Sequence, residues 1–515
     1  MIDAPSLQDS EAQHLLRTTQ HALDDLNEFS AHHLRLRLAE LPVPANSTLT
    51  VGGYSARQKN FAPADHMGAQ EEAALTVRVL PAESTSTASA HLEPHSAIFD
   101  VFYPPNQIPS TSSSSSALAN FIATQLQSTF AEEQATIAYI LTSSQLSSSS
   151  PSSSGGVGQP PQLSQSVSSS PRESRTGLSR ALPPDVAARL ARQMTRSLKY
   201  APTYHLTISL FSPTASPSTW DIEAAIDEYF TPLLDSFSTI SNFTVDTQVQ
   251  LYATFSPSLQ QPEYNEEQEV WTLRNEDLSG FINAAEWPLS PSIGAGPTLN
   301  FVLYVPSRAT SPLVVKDSLA SSWLIPQWGG VVILNPSTLD AEAAATPSIL
   351  SKEDIQPALF TFSHQLLSLL GTPQSPASLP LRLQTLTRVR AASLLLSASS
   401  TMGSLARLTV ALPSIAIPET VAAAVEKTLS HLRNTCTDLR DGRFQDAMEN
   451  ARIAEAEAEK GFFEKSMVGQ VYFPDEHKVA VYLPLLGPVG VPLVMAALKE
   501  IRRVRTNWKQ RKPGS

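Results

Sequence analysis

A layered α/β domain, then a helical region and one C-terminal transmembrane helix, is the architecture this sequence predicts. Three observations carry that prediction. Between about residues 204 and 334, strand-like runs alternate with helical stripes, the pattern of a mixed sheet flanked by helices. After about residue 350 the strand signal stops and helical patterns follow one another. Val479–Leu498 is then a run of 20 residues without a charge, which matches the hydrocarbon thickness of a bilayer.

From the start of the chain, residues 11–40 read as a helix carrying Leu15, Leu16, Leu23, Leu26, Leu34 and Leu36 among polar residues. Strand-like runs follow at Leu49–Val51, Leu75–Leu80 and Ala97–Tyr103. The last two stop at the turn-formers Pro81 and Pro104-Pro105. An amphipathic helix fits Leu118, Phe121, Ile122, Leu126 and Phe130. Ser143–Pro171 and the smaller tract Ser112–Ser116 are serine-rich, with too little apolar surface to offset the entropy of ordering them. They read as disordered insertions, the larger extending over about 143–181. A helix resumes at Pro184–Tyr200, with Val186, Leu190, Met194 and Leu198 every four residues.

In the α/β stretch, Tyr204, Leu206, Ile208 and Leu210 alternate with His205, Thr207 and Ser209, which predicts a half-buried strand. Pro213 and Pro217 end it. Ser218, Thr219 or Asp221 caps the next helix, whose apolar face includes Trp220, Ile222, Ile226, Phe230, Leu233 and Leu234. Phe243–Phe255 alternates again. Asn300–Val305 and Gly330–Leu334 are short continuous apolar runs, the mark of central strands buried on both faces. Two glycines beside Trp328 predict a tight packed turn, with a subunit contact at an exposed Trp328 as the alternative. Residues 354–370, 381–397, 418–441 and 442–466 all read as helices. The expected domains are a membrane-proximal helix over 1–40, an α/β domain over 41–350, a helical region over 351–470, a span over 479–498 and a basic tail over 499–515.

The basic tail carries seven Lys/Arg and one Glu, and such flanks stay cytoplasmic, so the bulk of the chain is expected on the opposite side of the membrane. The N-terminus MIDAPSLQDSEAQHLL holds no apolar run that would deliver it there. A preceding signal anchor outside this chain is therefore expected; the alternative is a tail-anchored protein facing the cytosol. Within the span, Pro484, Pro488 and Pro492 fall at i, i+4 and i+8, on one helix face. Each removes a backbone donor and frees the carbonyl four residues earlier, at Ala480, Pro484 and Pro488. Gly487 and Gly490 permit close approach. This face is expected to pack against other transmembrane subunits or to border a lipid site, with a merely kinked anchor as the alternative.

A net charge of −12 argues against nucleic-acid binding, and the basic cluster of the tail suits a membrane surface. Cys436 is the one cysteine, so an intrachain disulfide and a Cys-based zinc site are excluded. A thiol enzyme with His431 and Asp438 is one reading. The other places Cys436 on a core stripe with Val425, Leu429, Leu432 and Leu439, spaced 4, 3, 4, 3. His32-His33 reads as solvated on a polar helix, and Asp475-Glu476-His477 as a polar collar before the span. No G-x-S-x-G or H-E-x-x-H occurs, and no catalytic residue, metal site or cofactor is expected. Two sequons, Asn46-Ser47-Thr48 and Asn242-Phe243-Thr244, are glycosylation candidates.

Several ordered blocks resemble the PIG-S family, a non-catalytic component of the glycosylphosphatidylinositol (GPI) transamidase. They are residues 204–253 (YHLTISLFSPTASPSTWDIEAAIDEYF and onward), LNFVLYVPSRATSPL (299–313), IPQWGGVVILNP (325–336) and VYFPDEHKVAVYLPLLGPVGVPL (471–493). The resemblance implies a large lumenal domain in the endoplasmic reticulum between two transmembrane helices. The chain departs from that pattern in lacking the first helix, with residues 19–43 similar to the segment that follows it, and in its serine tracts. The resemblance further implies a scaffolding role in attaching GPI to proproteins, with catalysis in the caspase-like subunit PIG-K. Its implied partners are PIG-K, PIG-T, the Gaa-type subunit, PIG-U and membrane lipid, GPI included. It also favours Asn242 over Asn46. The competing expectations are a membrane-tethered hydrolase using a serine or Cys436, and a stand-alone lumenal binding module.

Overall fold

The computed structural model of the chain describes residues 1–27, 29, 32–39, 74–82, 87–104, 116–148, 182–253, 261–278, 296–335, 349–412, 415–467 and 475–510. Contacts divide it into two units. One comprises Met1–Ser393 with Thr437–Met448, the other Leu394–Cys436 with Glu449–Ser515. The division falls inside a helix at Ser393, later in the chain than the change of pattern near residue 350, so the first helices of the helical region belong with the sheets.

The first unit opens with β1 (Ile2–Asp3) and α1 (Asp9–Leu26), followed by β2 (Thr76–Pro81), β3 (Ser89–Leu92), β4 (Ile98–Tyr103), α2 (Ala117–Thr129) and α3 (Ala131–Ser148). The four strands form one sheet in the order β1-β2-β4-β3. Val77, Val79, Phe99 and Val101 bury one face of it in a core shared with Leu15 and Leu23 of α1 and Leu118, Ile122 and Leu126 of α2. On β2 and β4, Arg78 and Asp100 stand opposite each other and form a two-pronged ion pair at 2.6 and 2.8 Å. The expected helix over 11–40 stops at Leu26. Leu38 instead bridges to Ile2 in an extended stretch. The serine tract is helical at its start, because α3 runs to Ser148; Ser143 and Ser144 hydroxyls donate to the carbonyls of Ile140 and Leu141, both at 2.9 Å. The rest of that tract, the Ser112–Ser115 run, the strand expected at Leu49–Val51 and Asn46 lie outside the described residues.

The second sheet is the centre of this unit. Its elements are α4 (Pro184–Arg196), β5 (Thr203–Ser212), β6 (Thr219–Trp220), α5 (Ile222–Ala225), α6 (Thr231–Ser236), β7 (Asn242–Leu251), β8 (Glu263–Asn265), β9 (Val270–Leu273), β10 (Thr298–Tyr304), β11 (Leu313–Val315), β12 (Ser322–Ile325), β13 (Gly329–Ile333), β14 (Ile349–Leu350) and α7 (Lys352–Leu369). A single π-helical turn, Ile226–Phe230, joins α5 to α6. Five strands lie in the order β12-β13-β10-β5-β7; all but β12 run parallel. β11, β9 and β8 make a smaller sheet, and β6 pairs with β14.

β5 differs from its sequence pattern. Leu206, Ile208 and Leu210 are buried as expected, but Thr207 and Ser209 are buried too. The strand lies between β10 and β7, covered on both faces, and its small hydroxyl side chains fit against a neighbour where solvent was expected. β7 is the sheet edge, and there the alternation lapses: Val249 and Leu251 are 37% and 36% exposed. β13 is buried throughout and β10 from Leu299 onward, as their continuous apolar runs predict.

The glycine pair at the start of β13 has a steric cause. Gly329 has φ +154° and lies against the Asn300 carbonyl, and Gly330 lies against the Gln365 carboxamide; a Cβ at either position would collide. Gln365 Nε2 donates to the carbonyls of Trp323 (3.0 Å) and Val331 (3.3 Å), fastening α7 to the sheet.

The helical unit takes the second half of α8 (Leu379–Ala411), most of α9 (Glu419–Asp441) and of α10 (Phe444–Phe462), and α11 (Asp475–Gln510). Ala398, Ala454 and Ala458 make a small-residue contact, and Leu405, Val421 and Met467 close a second cluster. α11 is one 36-residue helix that holds Pro484, Pro488 and Pro492 and continues through most of the basic tail. Among the described residues no helix is long and apolar enough to cross a membrane. The side chains of residues 475–481, 483 and 485 lie outside them, so the uncharged run is described only in part, and the collar Asp475-Glu476-His477 is placed by its backbone alone.

Candidate functional site

The chemically richest cluster among the described residues is one that sequence reading missed. Glu133, in the first turn of α3, is 3% exposed. Its carboxylate accepts from Arg388 Nε at 2.7 Å and Nη2 at 2.6 Å, and from Thr385 Oγ1 at 3.0 Å. His32 Nε2 lies 3.4 Å from the same carboxylate. The Arg388 guanidinium lies over the rings of Phe130, 5.7 Å from its centroid, and Phe444, at 5.0 Å. Burial alone would push the Glu133 carboxyl up. The Arg388 charge and hydrogen bonds, helped by His32, overrule burial and hold it at about 2. The carboxylate is therefore charged at neutral pH, and its pairing with Arg388 ties α3 to α8 across 255 residues of sequence.

A signal for this pair exists in the sequence: Arg388 is in phase with Leu381 and Thr385 on the buried stripe of α8, where a charge needs a partner. His32 corrects an expectation. It is not solvated on a polar helix, because α1 ends before it, and its side chain is only 12% exposed. A shallow cleft beside it is lined by Leu23, Asp24, Asn27, Gln127 and Phe130.

Cys436 is the second correction. It is exposed, and Leu429 is 42% exposed. The buried face of α9 runs through Val421, Ala424, Thr428 and Thr435, one position round from the expected stripe. Both stripes have helical spacing; contact with the neighbouring helices decides between them, and it selects the one with smaller side chains. The two groups near Cys436 in sequence are engaged elsewhere: His431 Nδ1 lies 2.7 Å from Asn450 Oδ1, and Asp438 accepts from Arg443 at 2.6 and 2.9 Å. Cys436 itself makes no hydrogen bond among the described residues. Nor do three His, Cys, Asp or Glu side chains come together there as a metal site would require.

Asn242 opens the edge strand β7 with its side chain exposed, while its backbone N–H donates to the Pro202 carbonyl at 2.9 Å. The third residue of that sequon, Thr244, is hydrogen-bonded through Oγ1 to His205 Nδ1 at 2.5 Å. Trp328 is half-buried and packs on the core of Phe211, Val302, Tyr304 and Val331, which is the packed-turn arrangement. On α11, Pro484, Pro488 and Pro492 are exposed, and Gly487 and Gly490 have open space where a side chain would project.

Comparison with known proteins places these features in context. The family model described as "PIG-S: Phosphatidylinositol-glycan biosynthesis class S protein" matches residues 1–507. A Bos taurus relative, "GPI-anchor transamidase component PIGS", is 29% identical over 336 residues, covering 61% of this chain and 60% of the relative. The Schizosaccharomyces pombe "GPI transamidase component PIG-S homolog" is 30% identical over 318 residues, or 60% of this chain and 55% of its own. The Saccharomyces cerevisiae "GPI transamidase component GPI17" is 28% identical over 341 residues, or 62% and 61%. The chain thus spans about 60% of the length of the curated relatives it matches.

Proposed function

This chain belongs to the PIG-S family, and on that premise we propose that it is a structural, non-catalytic component of a GPI transamidase, supporting attachment of GPI to proproteins. The observation that carries the proposal is the family match along nearly the whole chain. Two further features support it. His431 and Asp438, the groups that would serve Cys436 in a thiol site, are committed to Asn450 and Arg443. The buried Glu133–Arg388 pair of the first unit serves to hold α3 to α8.

In this reading the bulk of the chain lies in the lumen of the endoplasmic reticulum, held by Val479–Leu498. The twenty uncharged residues and the basic tail behind them support that topology. The chain scaffolds a caspase-like catalytic subunit together with the PIG-T, Gaa-type and PIG-U subunits. Asn242 carries a glycan, because its side chain is exposed at a sheet edge where a bulky sugar meets no neighbouring strand. The carbonyls freed by Pro484, Pro488 and Pro492 are covered by a transmembrane helix of a partner, since hydrocarbon offers them no donor. Trp328, packed on its own core, contributes stability to the turn and carries no contact in this reading.

The test is complementation. The chain is expressed in cells lacking their own PIG-S component. A surface GPI-anchored reporter and co-purification of the other subunits are then measured. Recovery of both is expected; a chain that extracts as a monomer in mild detergent and leaves the reporter uncleaved overturns the proposal. Cys436→Ala separates the scaffold from a thiol enzyme: reporter attachment is expected to be unchanged, and its loss with the complex intact would reassign the chain as catalytic.

A further inference from the structure

The end of the helical unit from which α11 departs carries an apolar tip that the proposed function does not use. Three pieces of chain meet there: the C-terminus of α8, the N-terminus of α9 and the C-terminus of α10. Their meeting is fixed by the cluster of Leu405, Val421 and Met467, on which Leu408, Ile415, Val425 and Phe462 pack. Outside that cluster, three large apolar side chains face outward: Val410 is 80% exposed, Ile417 53% and Phe463 65%. Phe463 stands edge-on to Phe462, with ring centroids 5.0 Å apart, so its ring is propped away from the cluster.

The connection between α8 and α9 is itself unusual. From Leu408 in the last turn of α8 through the connection to Pro418 the chain reads LTVALPSIAIP, without a charge; Arg407 and Glu419 bracket it. Connections exposed to water are ordinarily built of Gly, Asn, Asp and Ser. Val410 in the last turn of α8, Ile417 just before α9 and Phe463 just past α10 are the exposed large apolar side chains flanking that cluster, and exposed apolar surface of this kind marks a contact surface.

We propose that this tip rests in the surface of the lipid bilayer, with Val410, Ile417 and Phe463 seated in the headgroup–acyl boundary. The covalent path selects lipid as the occupant. Met467, buried beneath the tip, is joined to Asp475, the first residue of α11, through residues 468–474. Eight residue steps reach at most about 28 Å, so the tip cannot stray far from the start of the proposed span. Side chains seated in this way enter the interface by about 5–10 Å. The contact rests on the reading of Val479–Leu498 as the span. It adds a second point of attachment that fixes the tilt of the helical unit on the membrane, which a single flexible tether does not.

The test uses the full chain in liposomes, with Cys436 replaced by Ser and single cysteines placed by Ile417→Cys, Phe463→Cys, Asn434→Cys and Leu493→Cys, each carrying an environment-sensitive nitrobenzoxadiazole label. Asn434 is exposed and lies about 22 Å along α9 from its start, beyond the reach of the interface. Brominated acyl chains are expected to quench the label at 417 and 463 several-fold more than at 434, and to quench 493 most. If 493 is quenched while 417 and 463 match 434, the tip contact is overturned and the span stands. The same holds if 417 and 463 are shielded from aqueous iodide without lipid quenching, which assigns the tip to a protein neighbour. If 493 is not quenched, the span reading falls; quenching at 417 and 463 would then uphold the tip contact alone, and its absence would overturn both.

Discussion

The five-stranded sheet and helix α11 are made from the same apolar residue types, and they treat them in opposite ways. Leu206, Ile208, Leu210, Leu299 and Phe301 have no exposed surface, whereas Leu486, Val489 and Leu493 are 64–66% exposed. The sheet buries its side chains against parallel neighbours and helices on both faces. Among the described residues α11 meets nothing of that kind at Gly487 or Gly490. The difference teaches that hydropathy specifies a demand for an apolar environment and leaves open what supplies it. In the sheet it is the chain itself. For α11 we assign the task to lipid and partner helices.

That contrast is most sharply broken or upheld by removing buried contacts from the first unit. Phe301 packs against Phe362 and Phe230 at centroid distances of 5.1 and 6.5 Å. Phe301→Ala should cost about 3–5 kcal/mol, read as a lowered denaturant midpoint. Leu493→Ala should leave that midpoint where it was; an equal loss at both positions would end the comparison.

Arg388→Met should cost about 3–5 kcal/mol by stranding a buried carboxylate, and adding Glu133→Leu should recover most of it. The pair also sets an acid limit. Because the Glu133 carboxyl is held at about 2 in the folded chain, below its ordinary value of 4.5, its contribution is fully present above pH 4.5. It is lost as pH falls from there toward 2. Stability measured across that window should fall less steeply in the Glu133→Leu/Arg388→Met double variant than in the parent.

Gly330→Ala drives a methyl into the Gln365 carboxamide, and a loss of about 1–3 kcal/mol is expected. Combining it with Gln365→Ala should not add the two single costs, because the second change removes the clash. Gly487→Ala and Gly490→Ala should leave the fold unchanged and report only on assembly in the membrane. Asn242→Gln is the smallest perturbation expected: no change in the thermal midpoint, and the loss of one glycan's worth of electrophoretic mobility from lumenally expressed protein.

How far these features were legible varies with the physics behind each. β10 and β13 were readable as central strands because continuous apolar runs tolerate no wet face. β5 departs from its alternating pattern because Thr207 and Ser209 are small enough to be buried between strands, so alternation there does not mean exposure. The helix at 418–441 was readable from its period, but its buried face was not. Val425, Leu429, Cys436 and the truly buried Val421, Ala424 and Thr428 have equivalent spacing, and only the neighbouring helices choose between them. α3 reached further into the serine tract than composition suggested, since serine hydroxyls can satisfy helix carbonyls.

By itself the sequence determined the central strands and the long helices, the α/β-then-helical order, the family, and the uncharged run followed by a basic tail. These depend on local period and composition, which a chain carries with it. The tertiary structure alone decided which face of α9 is buried, that β5 is covered on both sides, that His32 approaches a carboxylate 101 residues later in the chain, and that Glu133 meets Arg388. Those outcomes depend on pairings between distant segments, and the energy of such a contact exists only once both partners are in place.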